Sequence, residues 1–369
     1  MFFLLFLPKN LRMRILSRLI GLVLGISISI ALAGCVSGES QSLSSAQKAE
    51  SLVAVDTFHC EDNVEEFGGT VLVPTMEHHI SEDSNAVYCA TMLYAWDKVR
   101  EIFQEPIVVP SQYRDLQLLN ASTSHKNTLK PGEYVAEGIA NGNSVVVRSR
   151  FEKNLPFEVY FDTFDNRLKF NGENVPAFGM YGSLANECVD EIKILYYQND
   201  RHFLVKLIPE DKNHEILLYM PEHAFSTFAE MQQKVSQLIE QGSREQKMED
   251  MKWKYKFSVE DDELLIPKFD FNISTDYRSL LGNHFTVGQE VWTIGRAWQQ
   301  VAFHLDENGA AVESEAEGIL SLGIEIGPKV PQPKKMVFDR PFYVLLKRVD
   351  ASQPYFVLWV ANTELMVKG

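Results

Sequence analysis

Two runs close to the C-terminus restrict the possible folds of this chain more than any other feature. "PFYVLLKRV" (341–349) and "YFVLWVAN" (355–362) are apolar at almost every position and are joined by the turn-forming "DASQP" (350–354). A strand that shows water one face alternates, whereas a strand covered on both faces does not. The two runs therefore read as a hairpin deep inside a sheet, with further strands and layers needed to cover it.

The chain of 369 residues is long enough to supply that cover. From Ser144 onward, short β-rich runs follow one another: "SVVVRSRF", "FEVYFD", "EIKILYY", "HFLVKLI" and "EILLYMP". Between them lie clusters such as "DNRLKFNGEN" and "PEDKNH", read as turns. "MKWKYKFSV" alternates and predicts a half-buried strand, "LLIPKFDFNI" predicts another, and "WQQVAFHLD" a third. Helical spacing appears in "SNAVYCATMLYAWDKVREIFQ" and in "AFSTFAEMQQKVSQLIEQG", the latter with Gly242 as its stop. The expected class is α+β, with mostly antiparallel strands.

The N-terminus reads as an export signal. "RMRILSRLIGLVLGISISIALAGC" sets Arg12, Arg14 and Arg18 before an apolar run, Leu19 to Ala33, that ends in small residues. Leu32-Ala33-Gly34-Cys35 matches the bacterial lipobox, so Cys35 is the expected lipidation site, and residues 1–34 the signal. Val36 in place of an Asp predicts sorting to the outer membrane, where one exists. A start at Met13 would remove the unusual apolar leader. The serine-rich stretch at 35–54 reads as a flexible tether and residues 55–369 as a single domain.

The formal charge is −15, and the basic signal makes the mature chain more acidic still. That balance makes nucleic acid and anionic lipid surfaces poor partners, and no nucleic acid is expected. Cys60, Cys89 and Cys188 remain after lipidation. Export predicts that two of them pair, with Cys60–Cys89 the expected pair, although spacing does not fix connectivity.

No recognised catalytic motif occurs: there is no G-x-S-x-G elbow, P-loop, C-x-x-C or H-E-x-x-H. His78-His79 and His59-Cys60 are adjacent, and neighbours on a strand point to opposite faces, so they do not form a metal site. "EDDE" (260–263) reads as a solvated turn. The chain is expected to be no enzyme and to carry no cofactor or metal.

The order of the pieces resembles the serpin family. "QQVAFHLDENGAAVESEAE" is similar to the serpin hinge, in which a strand of the main sheet runs into Glu-x-Gly and then small residues. "MVFDRPFYVLLKRVDASQPYFVLWVAN" resembles the family's closing hairpin after F-x-x-P-F. "LLIPKFDFNISTDYRSLLG", "EILLYMPE", "VVVRSRFEKNLPFEV" and "NAVYCATMLYAW" look like other family segments in the same order. The resemblance implies a serpin-like fold whose exposed reactive-centre loop, at about 309–335, is bait for a serine or cysteine protease. In inhibitory members, cleavage lets the hinge insert as a new strand.

With Gly309 as the hinge glycine, Ala310, Val312, Ser314, Ala316 and Gly318 would point inward, and the glutamates outward. A one-residue slip would bury the carboxylates instead. Glu307 and Lys268 match a pair that the family forms where the inserting strand enters the sheet. Counted from Gly309, the scissile region falls at Leu322-Gly323-Ile324; counted back from Pro341-Phe342, it falls at Lys329.

Departures from the family pattern are also visible. Gln299 replaces a buried histidine, Cys89 a serine, and "FEKNLPF" lacks a tryptophan. Only about 45 residues separate the first helix from "SVVVRSRF", which predicts a reduced helical face. The alternative expectation is a non-inhibitory binding protein of the same fold.

Overall fold

The computed structural model describes residues 64–151, 153–181, 186–310 and 332–369. The chain divides into Met1–Cys60 and Glu61–Gly369, and the described residues all belong to the second unit. The signal, the tether, Cys35 and Cys60 lie outside them, as does the loop segment containing Val312, Ser314, Ala316, Gly318, Leu322, Gly323, Ile324 and Lys329.

The described part opens with β1 (Thr70–Val73), β2 (Asn85–Cys89), α1 (Thr91–Phe103), β3 (Ile107–Val108) and α2 (Arg114–Ala121). Six strands follow: β4 (Val135–Asn141), β5 (Ser144–Phe151), β6 (Leu155–Pro156), β7 (Asp162–Phe170), β8 (Glu173–Tyr181) and β9 (Ile192–Asn199). Next come β10 (His202–Leu207), β11 (His214–Met220), α3 (Phe228–Glu245), β12 (Glu263–Pro267), β13 (Phe269–Asp276) and β14 (His284–Val287). The last are β15 (Glu290–Leu305), β16 (Gly309–Ala310), β17 (Lys335–Val337), β18 (Phe342–Arg348) and β19 (Phe356–Val360). The class is α+β, and most strand pairs are antiparallel.

The closing hairpin lies where its sequence demands. β18 and β19 are interior strands of a seven-stranded sheet, order β1-β2-β19-β18-β11-β10-β9. Tyr219, Tyr343 and Trp359 are cross-strand neighbours on β11, β18 and β19. Their rings form a buried row with centroids 6.2 and 4.4 Å apart.

A six-stranded sheet has the path β3-β14-β15-β5-β4, with β13 pairing β15. Phe303 of this sheet stacks on Phe356 of the larger one at 4.7 Å, and Phe269 meets Phe342 at 6.2 Å. This aromatic layer joins the two sheets. Buried side chains of α1, among them Met92, Leu93, Trp96 and Val99, pack on the six-stranded sheet beside β4 and β5. A four-stranded sheet, β17-β12-β8-β7, completes the frame.

Several local expectations are corrected. Residues 85–89 form β2, so the helix starts only at Thr91; "NAVYC" is buried at every position and carries no alternation to mark it as a strand. "MKWKYKFSV" is a 3-10 turn at Lys252–Tyr255, closed by Lys252 N donating to Met248 O and Lys254 N to Met251 O. "FEVYFD" is irregular until Asp162, and most of "DNRLKFNGEN" is strand. There the chain turns only at Asn171-Gly172, both with positive φ. Gly242 does not end α3, which runs to Glu245: a side chain at Gly242 would meet Leu195 O at 1.8 Å, so the glycine lets the helix lie against β9.

Candidate functional site

β15 is sixteen residues long, and on one side it lies parallel to β5 from Thr293 to Val301. It ends in a tight turn, Asp306 to Gly309, closed by Asp306 N donating to Gly309 O at 3.0 Å and Gly309 N to Asp306 O at 3.2 Å. The chain then returns as β16, antiparallel to β6, with Gly309 opposite Pro156 and Ala310 opposite Leu155. Phe157 N donates to Asn308 O at 2.8 Å and Phe161 N to Glu307 O at 3.1 Å. The turn is thus bonded to the strand that continues from β5.

Gly309 has φ +125°, and a side chain there would meet Leu155 O and Pro156 Cα at 2.5 Å. Only glycine fits this backbone and this close approach. Ala310 is fully buried. The structure brings Glu307 and Lys268 together, with Lys268 Nζ 2.5 Å from Glu307 Oε2. That oxygen has no partner at hydrogen-bond angle, so the contact is an ion pair, held by two mostly buried side chains. Lys268 is fixed by its backbone, whose N–H donates to Pro176 O and whose C=O accepts from Val367 N, both at 2.9 Å.

Electrostatics reinforce the turn. Asp306 accepts from Asn308 N at 2.8 Å and from His304 Nε2 at 2.9 Å. Asp270, opposite His304 on β13, lies 3.6 Å from its Nδ1. The Asp306 hydrogen bond raises the His304 pKa against the effect of burial. Burial alone would raise Asp306, but His304 and the Asn308 amide hold its carboxyl below the usual range.

Lower on the seam between β5 and β15, Gln299 faces Ser149. Gln299 Nε2 donates to Thr91 Oγ1 at 2.8 Å and to Cys89 O at 3.2 Å, while Tyr277 Oη donates to Gln299 Oε1. Thr91 Oγ1 lies 3.2 Å from Ser149 Oγ. This fully buried knot ties both seam strands to the start of α1. Cys89 is a free, buried thiol, which corrects the Cys60–Cys89 pairing, and burial pushes its pKa up to about 12.

Sequence reading missed the return anchor. Lys334 and Asp262 have fully buried side chains 2.7 Å apart. Lys334 Nζ also donates to Lys256 O at 3.0 Å and Trp253 O at 3.2 Å, and Asp262 accepts from Lys334 N and Ser258 N. "EDDE" is therefore no solvated turn at Asp262, although nothing in that acidic run distinguishes the buried carboxylate from its neighbours.

Among the described residues, no group of His, Cys, Asp and Glu is arranged to hold a metal ion, and no helix is long and apolar enough to cross a membrane. No family model and no curated protein matches the sequence. Among solved structures, the chain is similar to thyroxine-binding globulin in complex with thyroxine, at 15% identity and TM-score 0.40, over 61% of this chain and 59% of that one. Tengpin, a thermophilic serpin in its native state, aligns at 13% identity and TM-score 0.34, over 59% and 55%. A serpin from the trematode Schistosoma haematobium aligns at 12% and 0.36, over 61% and 58%. The chain thus spans less than two thirds of the length of each, a partial likeness.

Proposed function

We propose that the chain is a serpin-like protein that presents residues 309–335 as bait to a serine or cysteine protease. After cleavage, the hinge would enter the six-stranded sheet between β5 and β15. The observation that carries this reading is the β16–β6 ladder: two hinge residues already pair antiparallel at the end of the seam, Gly309 is sterically required and Ala310 is buried. Continued by strand alternation, that register would send Val312, Ser314 and Ala316 to the buried side and Glu313, Glu315 and Glu317 to water. The Lys268–Glu307 ion pair supports the same reading, because it sits where the strand would enter.

The test is incubation of the chain with a panel of serine and cysteine proteases. A covalent complex that survives denaturant is expected, with its bond at Leu322-Gly323-Ile324 or at Lys329. Clean cutting without a complex would sink inhibition and leave the second reading, a non-inhibitory binding protein. The knot around Gln299 favours that alternative, since parting β5 from β15 would strip Thr91 of its hydrogen bond either to Gln299 or to Ser149.

Anchoring belongs to the same proposal. Cys35 would be acylated, holding the protein on the cell envelope, at the outer membrane where there is one, with the protease-facing loop outside the bilayer. Cys35→Ser should abolish incorporation of labelled fatty acid and move the protein from the membrane to the soluble fraction. Labelling that persists in this variant would refute the assignment.

A further inference from the structure

The turn between β9 and β10 packs against the chain that leaves β17. Asp200 Oδ1 accepts from Lys335 N at 2.9 Å, and three residues farther along each segment Phe203 and Phe338 meet at 5.2 Å. In the seven-stranded sheet, Phe203 of β10 lies opposite Met220 and Tyr343 of β18 opposite Tyr219, so Arg201, just before β10, and Arg340, just before β18, lie at the same end of the sheet.

The Arg340 guanidinium is not fully satisfied. Arg340 is half-buried, and its Nη2 is shielded from water without a hydrogen-bond partner. Its nearest carboxylate oxygen, Oδ1 of Asp339, is 3.6 Å from Nη1, too far for a hydrogen bond. Arg201 is exposed and forms no ion pair among the described residues. A buried donor left without an acceptor is costly and rare, and this chain has a large excess of carboxylates from which a partner could have come.

We infer that Arg340 and Arg201 form a binding site for one oxyanion, a phosphate, sulfate or carboxylate group, gripped by the unsatisfied edge of Arg340 and neutralised by Arg201. A guanidinium presents paired donors that match two oxygens of such a group, which a lysine does not. Burial, with Arg201 second, lowers the Arg340 pKa, and a bound anion would relieve both effects. The site is separate from the hinge and lies on the stretch that follows the loop's return anchor, where an acidic group of a docking protein or a free inorganic anion supplies the same chemistry.

The experiment is thermal melting of the full chain at constant ionic strength, with chloride exchanged for inorganic phosphate or for acetate. A saturable rise with phosphate is expected. A matching rise with acetate would place carboxylates, including acidic side chains, among the ligands; phosphate alone would restrict the site to tetrahedral oxyanions. Arg340→Gln should weaken the phosphate response about tenfold, the loss of charge-assisted hydrogen bonds. Arg244→Gln, at an exposed position in the last turn of α3, should leave it intact. Should Arg340→Gln fail to fold, Arg201→Gln at its exposed position decides. The inference is overturned by a phosphate effect no larger than that of chloride, or by one unchanged in the arginine variants.

Discussion

His304 joins the protonation state of the molecule to the shape of its hinge. Its pKa is raised by Asp306 and Asp270, so the stability it contributes is complete below its unfolded value of about 6.5 and fades as pH rises through the higher folded value. Asp306 has the opposite sign: its contribution is complete above the unfolded carboxylate value of about 4 and is lost as pH falls through the depressed folded value. The turn should be firmest between those two unfolded values. Amide exchange at Gly309 should quicken from about pH 6 to pH 8 beyond the intrinsic base catalysis, and His304→Gln should remove that excess. An identical excess in the variant would deny His304 this role. Gly309→Ala should cost about 1–3 kcal/mol from backbone strain and the Leu155 clash, read as a lowered melting temperature. These residues differ in how plainly the sequence announces them. Glu307, Gly309 and Lys268 stood out because the resemblance to the serpin hinge implied their roles, whereas Asp262 and Lys334 become visible only when two segments far apart in the chain meet.

At the scale of elements, the seam of β5 and β15 carries the proposed function. β5 shows buried and half-buried positions in strict alternation, so its strand character was legible, and the closing hairpin was legible for the converse reason. What failed were elements whose pattern mimics another. The 3-10 turn at Lys252–Tyr255 alternates like a strand, and β2 is too uniformly buried to alternate at all. Ser314→Arg tests the register proposed by extending the β16–β6 ladder, because an arginine on the side that would be buried should stall the new strand. The variant should be cut by the target protease without forming the denaturant-resistant complex. Undiminished complex formation would refute the register.

Over the whole molecule, the proposal requires that the uncut fold lie above a more stable form. Nicking the chain within residues 311–331 should therefore raise the melting temperature sharply, and an unchanged value would show that the hinge stays where it is. The two ends of that segment are held by different means. The outgoing end rests on a two-residue ladder, two backbone bonds from Phe157 and Phe161 and a mostly buried ion pair, while the returning end is bolted at Lys334 into a dry socket. Tension on the loop, from a protease or from an optical trap, would therefore be carried unequally, and the hinge is expected to yield before the dry Lys334 socket does.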